Sequence, residues 1–104
     1  MQASASESEQ VARWARALAH PTRVAVLREL NALDVASPHV LAKRLGEPLG
    51  PVAYHVRTLH DWRVVELTGT TPRRGAIEHH YRLTPKARQV IRALLSIDGR
   101  NEPG

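Results

Sequence analysis

The sequence predicts a mainly α domain carrying one two-stranded β-hairpin, in the order helix, helix, helix, helix, strand, strand, helix. Three observations predict it. Apolar residues recur at helical spacing through most of the chain. Three polar-then-proline pairs, His20-Pro21, Ser37-Pro38 and Thr84-Pro85, mark helix starts. After Trp62 the apolar period changes to that of a strand, over "VVELTG" and "AIEHHYRLT".

Each element has its own reason. Residues 1–7 are small and polar and read as a loose tail. Ser6 followed by Glu9 has the spacing of a capping box, so the first helix should open there, with Val11, Trp14, Ala15 and Leu18 on one face. His20-Pro21 interrupts it and starts a second helix with a Val24, Leu27 and Leu30 stripe. Asn31 to Ala36 reads as a connector. Ser37-Pro38 opens a third helix that buries Val40, Leu41 and Leu45 and stops at Gly46. A fourth must begin near Leu49 or Pro51, because proline is tolerated only in a first turn. It turns Val52, Val56 and Leu59 inward and ends near Trp62. Between the two strands, "TTPRRG" reads as the turn. The last helix, from Thr84-Pro85 to about Asp98, gathers Ala87, Val90, Ile91, Leu94 and Leu95 on one side before Gly99 stops it. Residues 8–98 thus form one domain, and 99–104 a second tail.

Composition narrows the function classes. The chain has no cysteine, which excludes disulfides, thiolate metal sites and cysteine nucleophiles and suits a reducing cytoplasm. No secretory leader is expected at residues 1–10, which lack a basic head and an apolar run. No membrane partner is expected, because apolar runs fall far short of the roughly 20 residues a span needs. Charge is unevenly placed. Residues 1–34 balance, whereas residues 35–92 hold ten Lys and Arg against four acids. Thirteen of the fifteen cations are arginine, whose forked guanidinium suits phosphate and guanine, so the middle of the chain suits a polyanion.

The third and fourth helices lie only a few residues apart. They make a helix-turn-helix pair, and the hairpin that follows is its wing, so the fold is a winged helix-turn-helix. In such a pair the second helix offers its outer face to the major groove. With Val52, Val56 and Leu59 buried, that face holds Gly50, Ala53, Tyr54, Arg57 and Thr58. An exposed tyrosine beside an arginine is a contact set for base edges and phosphates; the alternative is that Tyr54 packs over a neighbouring helix with its hydroxyl wet. Arg73 and Arg74 at the hairpin tip are placed for the adjacent minor groove or its phosphates, or serve as solubilising turn charges. Lys43 and Arg44 read either as solvated charges or as distant phosphate contacts.

The segments "LAHPTRVAVLREL", "LAKRLGEPLGPVAYHVRTLHDWRVVEL" and "PRRGAIEHHYRLT" resemble the winged helix-turn-helix regulators of the arsenic-repressor (ArsR-like) superfamily, over roughly residues 12–95. The resemblance implies a homodimeric transcription regulator, a repressor by the family's habit, working on double-stranded DNA in the cytoplasm at the nucleoid. It implies dimerisation through the first and last helices, which would use Val11, Trp14, Leu18, Val90, Ile91 and Leu94; the same residues would also serve to close the monomer's own core. It places DNA contacts at Leu49, Gly50, Ala53, Tyr54 and Arg57. Many relatives carry serine where this chain has Ala53, and polar residues near Leu49 and Gly50. Here Ala53 suits a thymine methyl, and hydrogen-bonded readout falls to Tyr54, His55 and Arg57.

Neither of the family's usual metal patterns is present, and no metal or other cofactor is expected. His79 and His80 point to opposite faces of a strand, His80 and Glu78 are too few for a closed site, and His55 and His60 are five apart on a helix. His79 is expected to pack within the wing, and His55 to meet DNA or solvent. No enzymatic role is expected: no nucleophile has a paired base, and no glycine loop cradles phosphate. The alternatives to sequence-specific regulation are non-specific DNA binding and a protein-interaction role for the winged helix. The sequence names no effector and no operator.

Overall fold

The computed structural model describes the backbone of residues 5–98 and the side chains of residues 7–96. The elements are α1 (Ala5–Leu18), α2 (Pro21–Leu33), α3 (Pro38–Leu45), α4 (Leu49–Asp61), β1 (Val65–Arg73), β2 (Ala76–Leu83) and α5 (Pro85–Asp98). The expected tails at 1–4 and 99–104 lie outside the described residues. Because α1 includes Ala5, Ser6 lies inside the described helix and not at its N-cap, and residues 5–7 of the expected tail are helical.

Local chemistry explains most boundaries. The His20 side chain accepts from the Thr22 amide and caps α2 ahead of Pro21. The helix runs on through Asn31 to Leu33, past the expected connector, and ends where Asp34 takes a positive φ of 70°. Ser37 caps α3 by accepting from the Val40 amide at 3.2 Å, and Gly46 ends it in the left-handed conformation at φ 65°. Only Gly46 to Pro48 then separate α3 from α4. Pro51 is the third residue of α4, where the missing amide has no helical carbonyl to lose.

The hairpin is longer than the pattern suggested. β1 continues through Pro72, which faces Ile77 in the ladder, so the turn shrinks to Arg74-Gly75. Proline is admissible there because β1 is an edge strand with no neighbour on its outer side. The register shifts between Leu67 and Gly69, leaving Thr68 as an extra residue on β1. On the other edge of β2, Ala36 and Tyr81 exchange two backbone hydrogen bonds, at 3.0 and 2.9 Å, and anchor the wing to the start of α3.

The core draws on every element. Val26, Leu27 and Leu30 of α2 meet Leu41 of α3, Val52, Val56 and Leu59 of α4, Val65 and Leu83 of the strands, and Ala87 and Ile91 of α5. Burying one such side chain stabilises the fold by about 1.5–3 kcal/mol. Trp14, Leu18 and Trp62 pack partly buried against it. Val40 is an exception to the expected buried stripe: it lies exposed, because the short α3 turns Leu41 and Ala42 to the core instead.

Candidate nucleic-acid interface

α4 is anchored by one face and open on the other. Val52, His55, Val56 and Leu59 are buried, whereas Leu49, Gly50, Tyr54 and Arg57 are exposed and Ala53 is half-buried. Tyr54 is 56% exposed, so it stands clear of the neighbouring helices. Thr58 is half-buried, and its hydroxyl donates to the Tyr54 carbonyl at 3.1 Å, which turns it to its own helix.

His55 does not sit where the sequence reading put it. It is 9% exposed and belongs to the anchored face. Its Nδ1 accepts from the Arg23 Nε at 3.2 Å, and its ring lies 4.3 Å from that of His20. Burial, with His20 and Arg23 alongside, holds the imidazole pKa below its usual value. The Arg23 guanidinium also lies 4.8 Å from the Trp62 ring centre, with Arg16 at 5.4 Å. His55 therefore fixes α4 against α2 and offers nothing to a ligand on the open side.

The wing reaches the same face. Arg73 donates from Nε to Glu78 Oε1 at 2.7 Å, and the Ser37 hydroxyl donates to the other carboxylate oxygen. These two donors keep the Glu78 carboxyl below the ordinary carboxylate range. Ser37 thus caps α3 and ties it to the wing. Arg74 at the turn is exposed and has no ion pair among the described residues. Between α4, the start of α3 and β2 runs an open groove of about 780 Å³, lined by Val40, Leu49, Ala53, Arg57, Arg73 and Ile77 among others.

Other expectations changed with the geometry. His79 is exposed and not packed in the wing; the half-buried histidine is His80, whose Nε2 lies 2.8 Å from the Thr71 hydroxyl. Arg44 pairs with Glu29 at 2.7 Å instead of standing free. Of the residues assigned to a dimer contact, Val11 is 67% exposed and Leu94 is exposed. Trp14, Leu18 and Val90 are half-buried. Ile91 is buried in the monomer's own core, so it is not available to a second copy. Among the described residues no group of three or more His, Cys, Asp or Glu could hold a metal ion, and no helix is long and apolar enough to cross a membrane.

Residues 18–68, which contain α2, α3 and α4, match a family model described as a helix-turn-helix domain. Solved structures superimpose over nearly the whole chain. The BigR transcriptional repressor from Xylella fastidiosa is 26% identical, with a TM-score of 0.70 over 92% of this chain and 93% of its own. The AntR antimony-specific transcriptional repressor is 21% identical, with a TM-score of 0.74 over 91% of this chain and 82% of its own. A homodimeric winged helix-turn-helix DNA-binding domain from Mycobacterium bovis, a possible ArsR-family regulator, is 20% identical, with a TM-score of 0.73 over 98% and 97%. This chain carries a helix-turn-helix domain within the winged helix-turn-helix fold of those structures. Among curated proteins, none matches it.

As a winged helix-turn-helix protein it carries its recognition helix in α4 and its wing in β1–β2. Three features of the interface escaped sequence reasoning. The Ser37–Glu78 link joins residues 41 apart, and nothing local announces it. The Arg23–His55 bond joins residues 32 apart, although the spacing of His55 with Val52, Val56 and Leu59 was there to be read. The apolar lining of the groove by Val40 and Ile77 needed the register of the wing.

Proposed function

We propose that the chain is a transcriptional regulator, a repressor, that binds a two-fold DNA site as a homodimer on the nucleoid, in the cytoplasm. One observation carries the reading: Arg57 of α4 and Arg73 of the wing line the same open groove. An exposed helix face and a basic hairpin tip on one side of a domain suit a major groove and its adjoining backbone. Gly50, Ala53, Tyr54 and Arg57 are the proposed contacts on α4, with Arg73 and Arg74 on the wing. His55 and Thr58 are left out, the first for its burial and the second for its bond to the Tyr54 carbonyl. The descriptions of BigR and AntR as transcriptional repressors support the direction of control. Two recognition helices related by a dimer axis would meet half-sites about 34 Å apart.

Selection of bound sequences from a random duplex pool tests this directly. A palindromic output is expected. Absence of duplex binding even at low salt would overturn it in favour of a protein partner. On the selected site, Arg57→Ala should weaken binding by about 1–3 kcal/mol, measured by fluorescence titration, and relax preference at the base it meets.

A further inference from the structure

The first two turns of α4 offer the groove little for hydrogen-bonded base reading, although His39, Arg57, Arg73 and His79 stand elsewhere in its lining. Outward on the first two turns of α4 stand Leu49, Gly50, Ala53 and Tyr54, and only the tyrosine hydroxyl donates or accepts. Leu49 is 49% exposed and Ile77 across the groove 61% exposed, with Val40 exposed beside them. Aliphatic side chains gathered round one open groove mark a surface that something covers. The surroundings say what. Arg57 borders the groove and has no ion pair among the described residues, and Arg74 stands exposed at the wing's turn. The one carboxylate in the lining, Glu78, is engaged by Arg73 and Ser37. An apolar patch with a cationic rim complements a polyanion that itself carries apolar groups. Duplex DNA meets that description at one place, the thymine C5-methyl group in the major groove.

Resting on the regulator reading above, we propose that this protein recognises its site chiefly through thymine methyl groups, with Leu49 and Ala53 as the specificity-determining residues on α4 and Ile77 of the wing closing over the same methyl edge. Arg57 adds one hydrogen-bonded base contact and the wing arginines hold the duplex in place, while the methyls supply most of the discrimination. The half-sites are therefore rich in thymine on the strand edge facing α4.

Deoxyuridine provides the test. It lacks only the C5-methyl of thymine and keeps every pairing group. On the site obtained by selection, each thymine is replaced singly by deoxyuridine and affinity is measured by fluorescence titration. At contacted positions binding should weaken about three- to fivefold, the worth of burying one methyl group. Positions outside the half-sites should show no change. The salt slope should also hold, because no charge is removed. With Leu49→Ala or Ile77→Ala, both exposed and tolerant of truncation, the penalty for deoxyuridine should shrink towards none. Full affinity for deoxyuridine at every position, an undiminished penalty in both variants, or selected half-sites without thymine would overturn the inference while leaving a DNA-binding regulator standing. Failure to bind any duplex at low salt would remove the regulator reading, and this inference with it.

Discussion

Protonation of His55 would put a hydrogen on the nitrogen that accepts from Arg23, and a positive charge between Arg23 and His20. The folded protein resists that proton, and the unfolded chain does not. Since the folded pKa lies below the unfolded value of about 6.5, the unfolded state binds more protons as pH falls through that value. Stability is therefore full above it and declines with falling pH until the lowered folded pKa is reached. Urea melts of the wild type at a series of pH values should show this decline. The slope should flatten in His55→Gln, which keeps a polar group for Arg23 and does not titrate. At this scale Tyr54 was legible as an exposed aromatic, because its neighbours at helical spacing were not all apolar. His55 was misread because residue type outweighed position: it lies three residues from Val52 and four from Leu59, in the middle of the buried stripe.

Among the elements, the wing carries the clearest division of labour. Arg73 is held by Glu78, whereas Arg74 next to it is exposed at the turn. On the regulator reading proposed above, their part is to neutralise phosphate. Replacing both with alanine should weaken every duplex alike and reduce the slope of log affinity against log salt by about two. A loss confined to the selected site would contradict that role. Both strands were legible from their alternation, and the helix starts from their prolines. The length of β1 was not. Pro72 signals a turn in isolation, and only the unpartnered outer edge of a two-stranded ribbon makes it acceptable in the ladder.

For the molecule as a whole, assembly turns on which apolar residues the monomer leaves uncovered. Val11 of α1 and Leu94 of α5 are exposed, whereas Ile91, one turn before Leu94, is spent on the core. In the sequence these positions have equal standing, because an amphipathic stripe looks the same whether it faces its own domain or another copy. Val11→Asp combined with Leu94→Asp should shift the protein to monomer in sedimentation, with its helical content kept and its preference for palindromic sites lost. A dimer that survives the pair of charges would place the contact elsewhere. The surplus Thr68 on β1 bears on the same geometry. Excising it would leave every rung of the ladder matched and every side chain on its present side, since the partners on either flank already alternate regularly. What would go is the local bend and added twist that an extra residue gives a strand. The bearing of the two arginines near the turn should then hang on one supernumerary link in the chain, and a protein shortened there should keep its melting behaviour while losing affinity for duplex.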